Sequence, residues 1–297
     1  MPKNTPAADV AITHELIHTL LSEFVPELAN EPLELVGSGW DNEMHRVGTT
    51  HGVRLPRREA ASQLVANEQQ WLPELEGKLP VALPTPTFAG SPAFGYPWKW
   101  SVVPWLPGVP LAHAPITNTA SVIEDVANFV NALHTPAPDN APKNPYRGVA
   151  LGERSDALES NLDGLEPDRR PQILDVWEQL VDTPEWGGDP LWIHGDLHPL
   201  NVLVRTGRVN AVIDFGDLGA GDPATDFAIA WMLFDEAERD AFRNALSIND
   251  KCIDVHTWNR SRAWALYFGV TYVANSADNE TMRRIGEATL SRVLDER

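Results

Sequence analysis

Apolar residues at Ile12, Leu16, Ile17, Leu20, Leu21 and Phe24 recur at the spacing of a helix with one buried stripe, and Pro26 marks its end. The period then changes. Short apolar runs at residues 33–36, 44–47 and 53–55 are separated by Gly37-Ser38-Gly39 and by Gly48-Thr49-Thr50-His51-Gly52, which predicts an antiparallel meander. A helix is expected over 58–72 and a further strand over 100–106. The turn formers of Pro104-Trp105-Leu106-Pro107-Gly108-Val109-Pro110 suggest a boundary between lobes. Beyond it, Val122, Ile123, Val126, Phe129, Val130 and Leu133 fall on one face of a second amphipathic helix. Residues 135–147, rich in Pro and Asn, read as a loop. Two apolar strands at 202–204 and 209–213 flank the tight turn Arg205-Thr206-Gly207-Arg208, and the chain from Asp222 onward is mostly helical in pattern. The expected fold class is α+β in two unequal lobes. Residues 1–106 form a small lobe with an antiparallel sheet, and residues 107–297 form a larger, mainly helical one.

Composition narrows the setting. A chain of 297 residues with 43% hydrophobic and 22% charged residues is long enough for two lobes and ordinary for a folded protein. Its formal net charge of −19 argues against a nucleic-acid partner, which needs a basic face, and mildly favours a cationic ligand. The single cysteine, Cys252, permits neither an internal disulfide nor a cysteine-based zinc cluster. Residues 1–10 lack a basic stretch followed by an apolar one, and no run reaches the roughly 18 apolar residues of a membrane span. The expected location is the cytoplasm.

The chemistry concentrates in Trp192-Ile193-His194-Gly195-Asp196-Leu197-His198-Pro199-Leu200-Asn201-Val202-Leu203-Val204 and in Ala211-Val212-Ile213-Asp214-Phe215-Gly216-Asp217. The hairpin between them is expected to bring Asp196, Asn201 and Asp214 near one another. Phosphoryl transfer needs such a set: one carboxylate to orient a hydroxyl and accept its proton, and hard oxygen donors to hold Mg²⁺ on phosphates. A competing reading makes His194, Asp196 and His198 a metal site in a hydrolase, but it accounts for neither Asn201 nor Asp214-Phe215-Gly216. No Gly-x-x-x-x-Gly-Lys-Ser/Thr loop and no Gly-x-Ser-x-Gly elbow is present.

His194-x-Asp196 with Asn201 five residues later, followed by Asp214-Phe215-Gly216, resembles the catalytic and magnesium-binding loops of protein kinases. Gly195 stands where protein kinases usually carry Arg. With that replacement, the run His-Gly-Asp-Leu-His-Pro-x-Asn resembles the aminoglycoside phosphotransferase family, as does Gly221-Asp222-Pro223-Ala224-Thr225-Asp226-Phe227-Ala228. The resemblance implies a bilobal protein-kinase-like fold. It implies Asp196 as catalytic base, Asn201 and Asp214 as Mg²⁺ ligands, and ATP or GTP as phosphoryl donor, bound between the lobes. His194, His198 and Asp217 are expected as supporting residues, with Asp217 placed to cap a turn or to meet a cationic substrate. Asp222 and Asp226 are expected to brace the loop or cap a helix.

Gly37, Ser38 and Gly39 are the candidates for the loop that covers the nucleotide phosphates. The family's phosphate-binding lysine is replaced here by Arg54, whose guanidinium has a different reach and geometry. Glu68 is its candidate partner, with Arg57 and Arg58 close enough in sequence to compete. Residues 100–108 fit the segment linking the lobes. The implied acceptor is a small-molecule hydroxyl, of an aminoglycoside-like antibiotic or else of a macrolide or another metabolite. A nucleotide-binding pseudokinase is the non-enzymatic alternative, with Arg54 its support. Trp258, Trp264, Tyr267 and Tyr272 are expected in the core first and at a pocket second. Oligomeric state is left open.

Overall fold

The computed structural model describes residues 4–249 and 251–296, so the first three residues of the N-terminal segment read above lie outside it. The described chain divides into two compact units. One comprises Pro6–Pro107 and Ala211–Gly216; the other comprises Gly108–Asn210 and the chain from Asp217 onward.

In the first unit, α1 (His14–Phe24) starts where Thr13 accepts a hydrogen bond from the Leu16 amide. Strands β1 (Leu33–Ser38), β2 (Asn42–Val47) and β3 (His51–Pro56) follow, then α2 (Glu59–Leu75), β4 (Phe88–Gly90) and β5 (Trp100–Pro104). The strands form one antiparallel sheet in the order β1-β2-β3-β5-β4. The meander is longer than its apolar runs suggested: the cross-strand ladder carries polar residues such as Asn42 and Glu43 into register with Pro56 and Leu55. Strand alternation explains why β3 is buried on both faces. Val53 and Leu55 join Ile17, Leu20 and Leu21 of α1 in one apolar cluster, while Arg54 between them turns towards α2. Helix α2 runs three residues past its expected end, with Pro73 in its last turn.

The second unit begins with the short β6 (Val109–Pro110) and α3 (Thr119–Leu133), capped by Asn118. All six apolar residues assigned to the stripe of α3 are buried. Helices α4 (Ser155–Leu162) and α5 (Arg170–Val181) precede β7 (Leu191–Ile193), β8 (Val202–Arg205) and β9 (Arg208–Val212). Strands β6, β8 and β9 form one small sheet. The next strand, β10 (Gly219–Gly221), pairs antiparallel with β7, Ile193 opposite Gly219 and Leu191 opposite Gly221.

Then come α6 (Ala224–Phe227), α7 (Ile229–Leu233), α8 (Glu236–Ala245), the two-residue β11 (Ser247–Ile248) and β12 (Lys251–Cys252), α9 (Val255–Asn275) and α10 (Glu280–Asp295). Helix α9 carries buried residues around its whole circumference, Trp258, Trp264, Tyr267 and Tyr272 among them, because α4, α5, α6, α7 and α10 all pack on it. Gly269 and Gly286 let α9 and α10 approach: a Cβ on Gly286 would lie 2.9 Å from the Gly269 carbonyl oxygen. Asn279, which heads a glycosylation-like tripeptide, serves as the α10 cap. Among the described residues no helix is long and apolar enough to cross a membrane.

The β8–β9 turn places Thr206 at φ 52° and Gly207 at φ 79°. Two successive left-handed residues give the hairpin turn that matches strand twist, and Asn-Gly is its preferred pair. A β-branched residue in that region is strained by about 1–3 kcal/mol. Thr206→Asn is therefore expected to raise stability by about 1 kcal/mol, read as a higher denaturant midpoint. A lower midpoint would contradict the strain.

Candidate active site

Asp196 lies in the loop between β7 and β8. The loop turns at once after β7 because Gly195 adopts φ 82°. A Cβ there would lie 2.6 Å from the Asp217 carbonyl oxygen, so backbone conformation and crowding both require glycine. The loop is held from below by Asp226. Its two carboxylate oxygens accept from the amides of His194 and Gly195, each at 2.8 Å. His134 Nε2 lies 3.0 Å from the same carboxylate, and both side chains are fully buried. The neighbouring Asp222 accepts from the Ala224 amide and from Arg260 Nε at 2.6 Å. Both acids thus brace the backbone around the loop.

The loop also stabilises itself. His194 Nδ1 accepts from the Asp196 amide, and His198 Nδ1 accepts from the Leu200 amide, both at 3.3 Å. These nitrogens face the chain's own backbone, and among the described residues no group of three His, Cys, Asp or Glu side chains is arranged to hold a metal. Asn201 donates through Nδ2 to the Asp196 carbonyl oxygen at 3.0 Å, and the same nitrogen lies 3.3 Å from His198 Nε2. Its Oδ1 remains the uncommitted oxygen of a buried amide, which suits a hard cation.

The Asp196 carboxylate keeps 24% of its surface exposed. Tyr272 donates to Oδ1 at 3.4 Å, His198 Nε2 lies 3.5 Å from Oδ2, and Arg147 Nη2 lies 3.7 Å from Oδ1. Burial pushes this acid upward, but His198, Arg147 and His194 outweigh it and hold the carboxyl below the usual range. Asp217 accepts from Asn144 Nδ2 at 2.6 Å and lies 3.9 Å from Arg147 Nη2. Arg147, Asn144 and the Tyr272 hydroxyl belong to no motif. Only the packing that brings Arg147 and Tyr272 to Asp196, and Asn144 to Asp217, identifies them.

In the first unit Arg54 bridges two carboxylates. Its Nε lies 2.9 Å from Glu68 Oε2, and its Nη2 donates to Asp214 Oδ1 at 2.6 Å. Glu68 is buried, and desolvation pushes it up to about 7, against the opposing pull of Arg54. One cation shared by two acids leaves Glu68 only partly compensated. Asp214 sits at φ 63°, a left-handed conformation that Asp tolerates better than most residues.

The glycine-rich segment differs from expectation: Gly37 and Ser38 belong to β1, paired with Met44 and Glu43 beyond an irregularity after Leu35. The turn itself starts at Gly39, whose amide donates to the Asn42 carbonyl. A Cβ on Gly37 would meet no atom of the chain, so nothing inside the fold demands glycine there. Arg57 and Arg58 are engaged with this turn through Gly39, Trp40 and Asp41 rather than with Glu68.

A two-part α+β fold with a His-Gly-Asp loop followed by Asp-Phe-Gly defines a kinase-like architecture. The model of the family described as "Phosphotransferase enzyme family" matches residues 32–264, and the chain belongs to that family. It is 25% identical over 182 residues to the uncharacterized protein YcbJ of Bacillus subtilis strain 168, covering 59% of this chain and 56% of that one. It is 26% identical over 208 residues to the viomycin phosphotransferase of Streptomyces vinaceus, covering 63% of this chain and 70% of the relative. The first of these relatives is thus spanned over little more than half its length. The fold matches the structure of APH(2″)-IIIa in complex with GDP and kanamycin at a TM-score of 0.73 and 18% identity, over 94% of this chain and 98% of the other.

Proposed function

We propose that this chain transfers the γ-phosphoryl group of ATP or GTP to a hydroxyl of a small molecule in the cytoplasm. The observation that carries the reading is the Asp196 carboxylate in a loop braced by Asp226, with the Asn201 amide against the Asp196 carbonyl oxygen. Asp196 would orient the acceptor hydroxyl and take its proton. The acceptor oxygen forms a bond to the γ-phosphorus as the bond to the bridging oxygen breaks, and that electron pair leaves with the nucleoside diphosphate.

Asn201 Oδ1 and the Asp214 carboxylate are the oxygens that would hold Mg²⁺. When bound, the ion supplies charge neutralisation on the phosphates. Arg54, kept rigid by Glu68, would contact phosphate oxygens in place of lysine, with the end of β1 at Gly37 and Ser38 and the turn starting at Gly39 covering the phosphates. His194 and His198 hold the loop, and Asp217 is itself held by Asn144. The substrates named for viomycin phosphotransferase and for the APH(2″)-IIIa complex make antibiotics of those kinds, with a role in resistance, the first acceptors to test.

Nucleotide consumption with ATP and GTP, with and without Mg²⁺, is expected to rise at least tenfold on adding the right acceptor, with a phosphorylated product by mass spectrometry. Magnesium-nucleotide binding with no turnover on any hydroxyl acceptor, and no basal hydrolysis, would sink the reading in favour of a binding protein.

A further inference from the structure

Arg147 is unused by the mechanism above, although its guanidinium lies between Asp196 and Asp217. Its side chain is 16% exposed and stacks over the Phe268 ring at 5.0 Å. A guanidinium carries five N–H donors. Here Nη1 makes a single long hydrogen bond, 3.5 Å to the carbonyl of its neighbour Tyr146. Nε is closed off from solvent with no partner. Nη2 approaches the two carboxylates only at 3.7 and 3.9 Å, beyond hydrogen-bonding distance. A mostly buried cation with unfilled donors is costly, and the fold holds this one in place with an aromatic stack instead of satisfying it. Asp217 and Asp196 flank it and compensate its charge, with Tyr272 and Tyr267 near by, but neither acid comes within hydrogen-bonding distance of the guanidinium.

We propose that Arg147 is an acceptor-binding residue that takes an oxyanionic substituent, a carboxylate or a phosphate, carried close to the reacting hydroxyl. The inference rests on the phosphotransfer reading of Asp196 and narrows its acceptor. A hydroxyl that meets Asp196 brings its neighbouring atoms within reach of Nη2, 3.7 Å from that carboxylate. A planar guanidinium matches the two oxygens of a carboxylate or phosphate better than any other side chain does.

The test uses the full chain with magnesium-ATP or magnesium-GTP. Matched acceptors are compared by kcat/KM: L-homoserine against its amide, D-gluconate against D-gluconamide, glycerol 3-phosphate against glycerol, and kanamycin. At least one oxyanionic acceptor is expected to exceed its neutral partner by roughly 10–100-fold, the range of one charge-assisted hydrogen bond. The carboxylate and phosphate arms tell the two sources apart. Arg147→Gln is expected to raise KM for that acceptor more than it lowers kcat, and to bring the acid-to-amide ratio towards one. Equal turnover of acid and amide, kanamycin as the better acceptor, or a ratio unmoved by Arg147→Gln would each overturn the proposal. Basal magnesium-dependent nucleotide hydrolysis that Asp196→Asn abolishes reports the phosphotransfer reading separately. If hydrolysis is present and no oxyanion preference appears, only the Arg147 inference falls. If hydrolysis and turnover are both absent, both fall.

Discussion

Asp196→Asn is expected to lower kcat by roughly 10²–10⁴, the range of a lost general base, while magnesium-nucleotide affinity and the unfolding midpoint stay close to those of the parent. The substitution keeps the shape of the side chain and an oxygen for the Tyr272 hydroxyl, and it removes the negative charge and with it the ability to accept a proton. The backbone of the loop is held by Asp226 through the amides of residues 194 and 195, so the change at 196 leaves its support in place. A pH profile sharpens the assignment. Burial tends to raise this carboxyl, but His198, Arg147 and His194 prevail and keep it below its ordinary value near 4. A base works only when deprotonated, so activity that depends on Asp196 is lost as pH falls through its folded value. That acid limb is therefore expected below about pH 4, and any limb seen between pH 5 and 8 belongs to another group. Unchanged turnover in Asp196→Asn would remove Asp196 from the role.

The loop from His194 to Asn201 could be picked out in the sequence because its motif is local. His194, Gly195, Asp196 and Asn201 lie within eight residues, and in the structure the Asn201 amide donates to the Asp196 carbonyl oxygen. Helices α1, α2 and α3 were readable for a similar reason, because a stripe such as that of α3 repeats within one element, whereas α4 and α5 were not read. Arg54 and Glu68 were named from the resemblance, which implies a strand cation paired with a helix glutamate, and they meet at 2.9 Å.

What stayed hidden is carried by long-range packing. Tyr272 stands 76 residues from Asp196 on a helix buried all round, where an aromatic residue gives no sign of which neighbour its hydroxyl will find. Arg147 sits in a loop with no periodicity. The glycine segment misled for a different reason. Gly37 reads as a turn former, yet strand pairing with β2 captures it and moves the turn to Gly39, because ladder hydrogen bonds override the local preference of one residue.

Asp226→Asn is expected to cost about 3–5 kcal/mol of stability, the cost of breaking a buried charged network by removing one partner. Three groups depend on this one carboxylate: the amides of His194 and Gly195, and the imidazole of His134. An amide in its place offers one accepting oxygen and turns an N–H₂ group towards a donor that has no other partner, so at least one buried N–H is orphaned. An orphaned buried donor alone costs about 1–3 kcal/mol. Loss of the negative charge beside His134, whose Nδ1 is already buried without a partner, adds to it. Against a typical total of about 5–15 kcal/mol, the variant keeps its fold only at low temperature and low denaturant, where the measurement is made. There, turnover is expected to fall as well, although Asp226 touches no substrate, because the backbone that aims Asp196 has lost its brace. The double variant with His134→Gln separates the contributions. If the two residues act as one network, the combined loss is smaller than the sum of the single losses. Additive losses, or an Asp226→Asn midpoint within about 1 kcal/mol of the parent, would mean that the loop is held by its own histidine contacts, and that Asp226 merely occupies the space beneath it.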